Sequence, residues 1–167
     1  MEHNSSYKSS FNLSNKVALV TGASGFLGKE FCKGLASYGS NIALVDLDSK
    51  TIDNQAEKLV KEYNVKAKGF VCDVSDSLSV KDCVNRVVKE FSYIDILHNN
   101  AAGKVGRAES FFASFENYSI KQWKDVLNVN LDGMFLMAQA VGKQMLKQKK
   151  GSIIQTSSIY GIVSPDH

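Results

Sequence analysis

The chain has 167 residues, 44% of them apolar and 22% charged, and a formal net charge of +3. That length suits one domain with a sizeable core, and so small a charge on scattered lysines and arginines excludes the dense basic stripe of a nucleic-acid binder. No apolar run is long enough to span a membrane, and Cys32, Cys72 and Cys83 are too widely spaced for a disulfide framework or a zinc site.

Residues 1–14 lack the apolar centre of a signal peptide and read as a polar tail. With cysteines that look like small buried apolar groups, this predicts a cytoplasmic protein. From residue 15 to 167 the chain alternates two periods. "KVALVTG" is a continuous apolar run, the mark of a strand buried on both faces. A helix follows, with Leu27, Phe31 and Leu35 four apart and Gly39 as its C-cap. "NIALVDLD" is a second strand, and Ile52, Ala56, Leu59, Val60 and Tyr63 mark a second helix.

"VKAKGFVCDV" predicts a third strand, and "SDSLS" offers N-cap side chains for a helix through Val80, Val84 and Val87. "IDILHNN" is a fourth strand. After a polar, aromatic loop, Trp123, Leu127, Asn130, Met134, Val141 and Met145 trace one face of a long helix. Lys147, Lys149 and Lys150 suit its last turn through the helix dipole. "GSIIQTSS" is a fifth strand. Such alternation predicts an α/β fold, a Rossmann-like doubly wound parallel sheet with helices on both faces and ligands at the carboxyl ends of the strands.

The first strand meets its helix through "TGASGFLG", Thr21 to Gly28. Glycines there permit a tight turn and let the backbone approach a pyrophosphate at the helix N-terminus. Asp46 closes the second strand 24 residues beyond Gly22. Its carboxylate can accept hydrogen bonds from adenosine ribose hydroxyls and would repel a 2′-phosphate, so the expected cofactor is NAD in preference to NADP. Asp48 offers the same charge two residues on.

Together with "CDVSD", "NNAAG", "NVNLDGMF" and "SIIQTSSIYG", in this order, the loop resembles the short-chain dehydrogenase/reductase family along nearly the whole chain after the tail. The resemblance implies a nicotinamide-dependent oxidoreductase acting on a small carbonyl or alcohol. Thr21, Gly22, Gly25 and Gly28 would then belong to the phosphate-binding loop, Ser24, Phe26 and Leu27 would also meet the cofactor, and Asp46 would bind the adenosine ribose. Asp73 and Val74 would meet the adenine, and Asn99, Asn100 and Ala101 would line the cofactor. Asn130 would support a proton relay through water, and Ser158 would hydrogen-bond the reacting group. Asn130 falls on an apolar stripe, where a polar side chain needs a partner.

Gly25 stands one position earlier than in single-domain members of the family, as in the epimerase and dehydratase branch, and Ala102 replaces a common glycine. The other motifs resemble the single-domain branch. "TSSIYGIVSPD" and the loop "GKVGRAESFFASFENYS" resemble the subgroup tied to flagellin modification and nonulosonic-sugar synthesis. That implies an amino-sugar substrate, met by Lys104, Arg107 and the rings of Phe111, Phe112, Phe115 and Tyr118; alternatively the rings anchor the loop to the body.

The family's acid/base tyrosine has a lysine four residues later, one turn along the helix, which favours the phenolate. Position 164, four beyond Tyr160, is a serine, so Tyr160 fails this test. The expectation is therefore a chain that ends before its Tyr/Lys pair and before the last strands and helices. It would be inactive alone, with an exposed sheet edge and apolar helix face, whereas the full-length form would be a homo-oligomer. A nucleotide-binding module without catalysis, and an epimerase or dehydratase, are the alternatives.

Overall fold

The computed structural model describes residues 11–104, 106 and 108–162, the side chain of Tyr160 apart. Chain order is β1 (Val17–Thr21), α1 (Phe26–Ser37), β2 (Asn41–Asp46), α2 (Ser49–Tyr63), β3 (Ala67–Val71), α3 (Ser77–Phe91) and β4 (Ile96–Asn99). A short α4 (Ala108–Phe111) and a 3-10 turn (Phe115–Asn117) precede α5 (Ile120–Leu127), a π-helical segment (Asn128–Asp132), α6 (Gly133–Gln148), β5 (Ser152–Gln155) and a last 3-10 turn (Ile159–Gly161). The five strands form one parallel sheet in the order β3-β2-β1-β4-β5. The chain reverses its winding direction between β1 and β4, and in such sheets that is where ligands bind.

Alternation along the strands splits the core in two. Ala18 and Val20 of β1, with Ile42 and Leu44 of β2, face α1 and α2 through Cys32, Ala36, Ile52 and Leu59. Leu19, Ala43, Val45 and Leu97 face the other way, onto Val80, Val84 and Val87 of α3 and Met137, Val141 and Met145 of α6. The predicted doubly wound sheet with helices on both faces is the observed architecture. All three cysteines are buried and unpaired.

Local chemistry sets the helix ends. Asp48, Asp76 and Ser119 cap α2, α3 and α5, their side chains accepting from the N–H groups of Thr51, Leu78 and Gln122. The C-cap of α1 is Tyr38, and Gly39, one residue later, takes the left-handed conformation with φ +91°. At the amino ends of the strands lies Asp95, 8% exposed. It accepts from the Val17 N–H at 3.1 Å and lies 3.2 Å from Lys150 and 3.6 Å from Lys16. One carboxylate thus ties the starts of β1, β4 and β5 together, at the end of the sheet opposite the expected ligand site.

Four expectations need correction. The sheet-facing side of α1 is Gly28, Cys32 and Ala36, while Leu27 is exposed; α1 lies so close to the sheet that only small residues fit between. Trp123 is exposed, and the core stripe of the long helix is Gly133, Met137, Val141 and Met145. The cause is the π-helical turn, in which the Gly133 N–H donates to Asn128 O five residues back. One extra residue per turn shifts every later position on the helix face. β5 is exposed at all four positions because it forms the sheet edge. Phe112 and Phe115 are exposed, so those rings do not anchor their loop.

Of the expected tail, Phe11 to Ser14 turn against the end of α1. The Leu13 N–H donates to Tyr38 O at 2.8 Å, and the Phe11 ring meets Tyr38 edge-on at 6.3 Å. Residues 1–10, Arg107 and the "VSPDH" stretch lie outside the described residues. Among the described residues no helix is long and apolar enough to cross a membrane.

Candidate functional site

A cleft of about 810 Å³ opens at the carboxyl ends of the strands, over the N-terminus of α1. Its floor is the turn Gly22 to Gly28. Gly22 sits at φ +66°, and a Cβ there would stand 2.9 Å from Ala101 Cα. A Cβ on Gly28 would overlap the carbonyl oxygen of Gly22. Both glycines are therefore demanded by close backbone packing, between the turn and the β4 loop and between the turn and α1. Gly25 is the N-cap of α1, with no side-chain cap and no acidic residue in the first turn. The leading N–H groups of this helix consequently face the cleft without an internal acceptor, unlike those of α2, α3 and α5.

Asp46 stands on the wall at the end of β2. Its Oδ2 accepts from the Ser24 N–H at 2.9 Å and its Oδ1 from the Leu47 N–H at 2.7 Å. The carboxylate thereby fixes the glycine turn as well as presenting negative charge. Asp73 follows β3, with Oδ1 taking both the N–H and the hydroxyl of Ser75 at 2.9 and 2.6 Å. Val74 lies beside it, buried under α6; a Cβ on Gly133 would come within 2.9 Å of Val74 Cγ2. Ser24, Phe26, Leu27, Asn100 and Ala101 also line the cleft, as expected of them.

Thr21 and Asn99 do not line it. Both are buried beneath the wall, where they hold the β4 loop in place. The Thr21 hydroxyl accepts from the N–H groups of Asn100 and Ala101 at 2.8 and 2.9 Å and donates to Asn99 Oδ1 at 3.2 Å. Asn99 Nδ2 donates to Met134 O at 2.7 Å and Gln155 Oε1 at 2.8 Å, joining β4 to α6 and β5. Buried at a strand crossing, these side chains are saturated by protein partners.

Asn130, within the π-helical segment, is clamped to the same loop. Its Oδ1 accepts from the Gly103 N–H at 2.8 Å, and its Nδ2 donates to Gly103 O at 3.3 Å. The polar side chain on the helix face thus has its partner. Ser158 is exposed, three residues past the edge strand, and its carbonyl accepts from the Gly161 N–H at 3.0 Å. It does not stand on a buried strand as the apolar run suggested. The residue from this end that reaches the cleft is Thr156, whose hydroxyl donates to Asn100 Oδ1 at 3.3 Å.

Other wall residues escaped the sequence reading. Leu47 carries a legible signal, an exposed apolar side chain next to Asp46; Thr156 follows the last strand directly. Cys72 carries none, because a buried cysteine after a strand reads as core. The hydrogen bond from Cys83 holds the Cys72 thiol below the ordinary range, while the same contact, followed by burial, pushes Cys83 up. Under the wall His98 stacks on Phe31 at 4.0 Å, and burial lowers its pKa. Lys104, which also lines the cleft, lies over the Phe112 ring at 4.5 Å.

The residues present fit a dinucleotide. Uncapped N–H groups and glycine backbone suit a pyrophosphate, and a carboxylate at the end of β2 suits a ribose diol. Comparison with known proteins agrees. A sequence profile described as short chain dehydrogenase matches residues 16–167. D-threitol dehydrogenase of Mycolicibacterium smegmatis is 40% identical over 156 residues, covering 93% of this chain and 57% of that protein. A sorbose reductase of Candida albicans is 37% identical over 92% of this chain and 53% of its own. An NAD+-bound xylitol dehydrogenase superposes with a TM-score of 0.84 at 34% identity, over 92% of this chain and 56% of that one. An NADPH-dependent 3-quinuclidinone reductase from Rhodotorula rubra gives 0.85 at 28% identity, over 99% and 60%. The chain thus spans little more than half the length of these relatives. With the family profile covering residues 16–167 and relatives 40% and 37% identical over more than nine-tenths of it, the chain belongs to the short chain dehydrogenase family.

Proposed function

We infer that the chain is the cofactor-binding part of an NAD-dependent oxidoreductase whose substrate is a polyhydroxylated carbohydrate. The observation that carries this is the direct bond between the two recognition elements: Asp46 Oδ2 accepts from Ser24 N within the glycine turn. Ribose and pyrophosphate contacts are thereby held at a fixed separation in one cleft. Bound there, the dinucleotide supplies the hydride acceptor or donor.

The chain's own residues bind and orient it. The backbone from Gly22 to Gly28 meets the pyrophosphate, Asp46 the adenosine ribose, Asp73 and Val74 the adenine, and Asn100 and Ala101 the remainder. Thr21 and Asn99 position that last pair. Asn130, through Gly103, fixes the loop beside the reacting end and supports a water-borne proton path; Ser158 hydrogen-bonds the substrate oxygen. The carbohydrate class is supported by relatives named for threitol, sorbose and xylitol. An amino sugar is the narrower form of this reading, supported by the "TSSIYG" resemblance and by Lys104 beside the cleft. The exposed Leu131, Phe135 and Leu146 of the long helix support a homo-oligomeric full-length form, and three free thiols support a reducing, cytoplasmic setting.

The test is titration of the chain with NADH and NADPH, followed by nicotinamide fluorescence. A carboxylate about 5 Å from a 2′-phosphate near the surface costs about 1–3 kcal/mol. NADH is therefore expected to bind about 10–100-fold more tightly, and Asp46→Asn to erase most of the difference. Equal or tighter binding of NADPH by the unaltered chain overturns the NAD assignment. Binding of neither overturns the dinucleotide reading.

A further inference from the structure

His98 of β4 points to the α1 side of the sheet, where its ring stacks on Phe31. It is 9% exposed and sits between Val20 of β1 and Ile154 of β5. Burial alone lowers its pKa, and no charged side chain faces it from α1, β1 or β5 among the described residues. Its hydrogen-bond partner is the Thr156 hydroxyl, 3.4 Å from Nε2. An apolar side chain would serve the stack on Phe31 equally well, so the ring nitrogen is the feature to explain.

Donors and acceptors around Thr156 follow by elimination. A main-chain carbonyl only accepts, so Thr21 O, at 3.2 Å, must face Asn100 Nδ2. That turns Asn100 Oδ1, also only an acceptor, toward the Thr156 hydroxyl at 3.3 Å. Thr156 therefore commits its single proton to Asn100 and has only lone pairs left for His98. Nε2 has to carry a hydrogen. In the alternative Nδ1–H tautomer Nε2 is an acceptor and competes with Asn100 for the same proton. An imidazolium has no such lone pair, so protonation removes the competing state.

The Asn100 amide lies where its orientation matters. It lines the cleft and closes on the glycine turn, where a Cβ on Gly22 would stand 3.1 Å from Asn100 Nδ2. We propose that His98 is a positioning residue for the dinucleotide, holding the Asn100 amide through Thr156, and that its protonation tightens dinucleotide binding, a role that rests on the dinucleotide reading of the cleft. An imidazolium also attracts the pyrophosphate through space, in the same direction as the relay. Only the relay needs the Thr156 hydroxyl. By linkage, bound dinucleotide strengthens the hold of His98 on its proton.

The experiment uses the full chain with His3→Gln and His167→Gln, which leaves His98 as its only histidine. NADH binding is followed by fluorescence between about pH 7.5 and 5, the range in which an ordinary histidine titrates. Affinity is expected to rise about fivefold toward the acid end, the effect of one hydrogen bond. Thr156→Val should cut that rise to about twofold or less, whereas Thr156→Ser should keep it. His98→Gln, whose amide can donate but does not titrate, should give a flat profile. Ring-nitrogen NMR of the chain without cofactor should show the Nε2–H tautomer, and Thr156→Val should mix in the other. An Nδ1–H tautomer in the unaltered ring, or a rise that persists undiminished in Thr156→Val or His98→Gln, overturns the proposal and leaves the dinucleotide reading in place. So does NADH binding with a flat profile. Binding of NADH at no pH overturns both.

Discussion

Replacing Thr21 by valine keeps the shape of the side chain and removes one oxygen. In the structure that oxygen has three partners, the N–H groups of Asn100 and Ala101 and the amide oxygen of Asn99. An orphaned buried donor costs about 1–3 kcal/mol. The Asn100 and Ala101 N–H groups are only partly buried, so the low end of that range applies to each; the longer contact to Asn99 adds less. The expected loss is about 3 kcal/mol, a large share of the ~5–15 kcal/mol that holds a typical domain together. Thr21→Ser keeps the hydroxyl and loses one methyl group, about 1 kcal/mol. Urea unfolding followed by circular dichroism separates them. With an m-value of about 2 kcal/mol/M, valine should lower the midpoint by about 1.5 M and serine by about 0.5 M. Because the loop it holds lines the cleft proposed for the dinucleotide, valine should also weaken NADH binding. A midpoint for valine equal to or above that for serine would refute the reasoning, since it would mean that burial of the methyl group, not the hydroxyl, holds Thr21 in place.

Two further outcomes are expected. Burial lowers the pKa of His98, so as pH falls below the unfolded value of about 6.5 the unfolded chain takes up the proton first. Stability should be level above that pH and decline below it, by at most about 1.4 kcal/mol per pH unit; a His98→Gln variant should lack this component in unfolding curves taken between pH 7.5 and 5. Cys72 lies on the cleft wall with its thiol held low by the hydrogen bond from Cys83, whereas burial pushes Cys32 up to about 12. Iodoacetamide should therefore label Cys72 first by peptide mass, and NADH should slow that reaction; labelling of Cys32 first, or no effect of NADH, contradicts the assigned environment.

The sheet was legible because each strand is a continuous apolar run, and a run such as "VALV" between a polar tail and a glycine turn has few other uses. The glycine turn and Asp46 were legible because backbone approach and charge need those residue types. Other features left no trace in composition. Periodicity from Trp123 to Met145 looked unbroken, since a single added residue in a π-helical turn changes which face is buried without changing which residues are apolar. The "SIIQ" run reads like the buried strands, but its exposure depends on standing at the sheet edge, a property of its neighbours. Thr21 and Asn99 carry a family signature and lie beneath the site; motif positions record what a geometry requires, not which groups touch a ligand.

The π-helical turn at Asn128–Asp132 joins two rods, Ile120–Leu127 and Gly133–Gln148, that differ in phase by one residue. In a helix each residue advances the face by about 100°. Deleting any one residue between Asn128 and Asp132 would let a uniform α-helix form while rotating the whole Ile120–Leu127 rod by that angle relative to the core. The side chain that clamps Gly103 would turn away from its loop, and Trp123 and its neighbours would face a different direction. The stripe on the sheet would stay as it is. The turn therefore acts as a phase adjuster: the part of the helix that meets the cleft loop can change its facing without disturbing the part that packs the core.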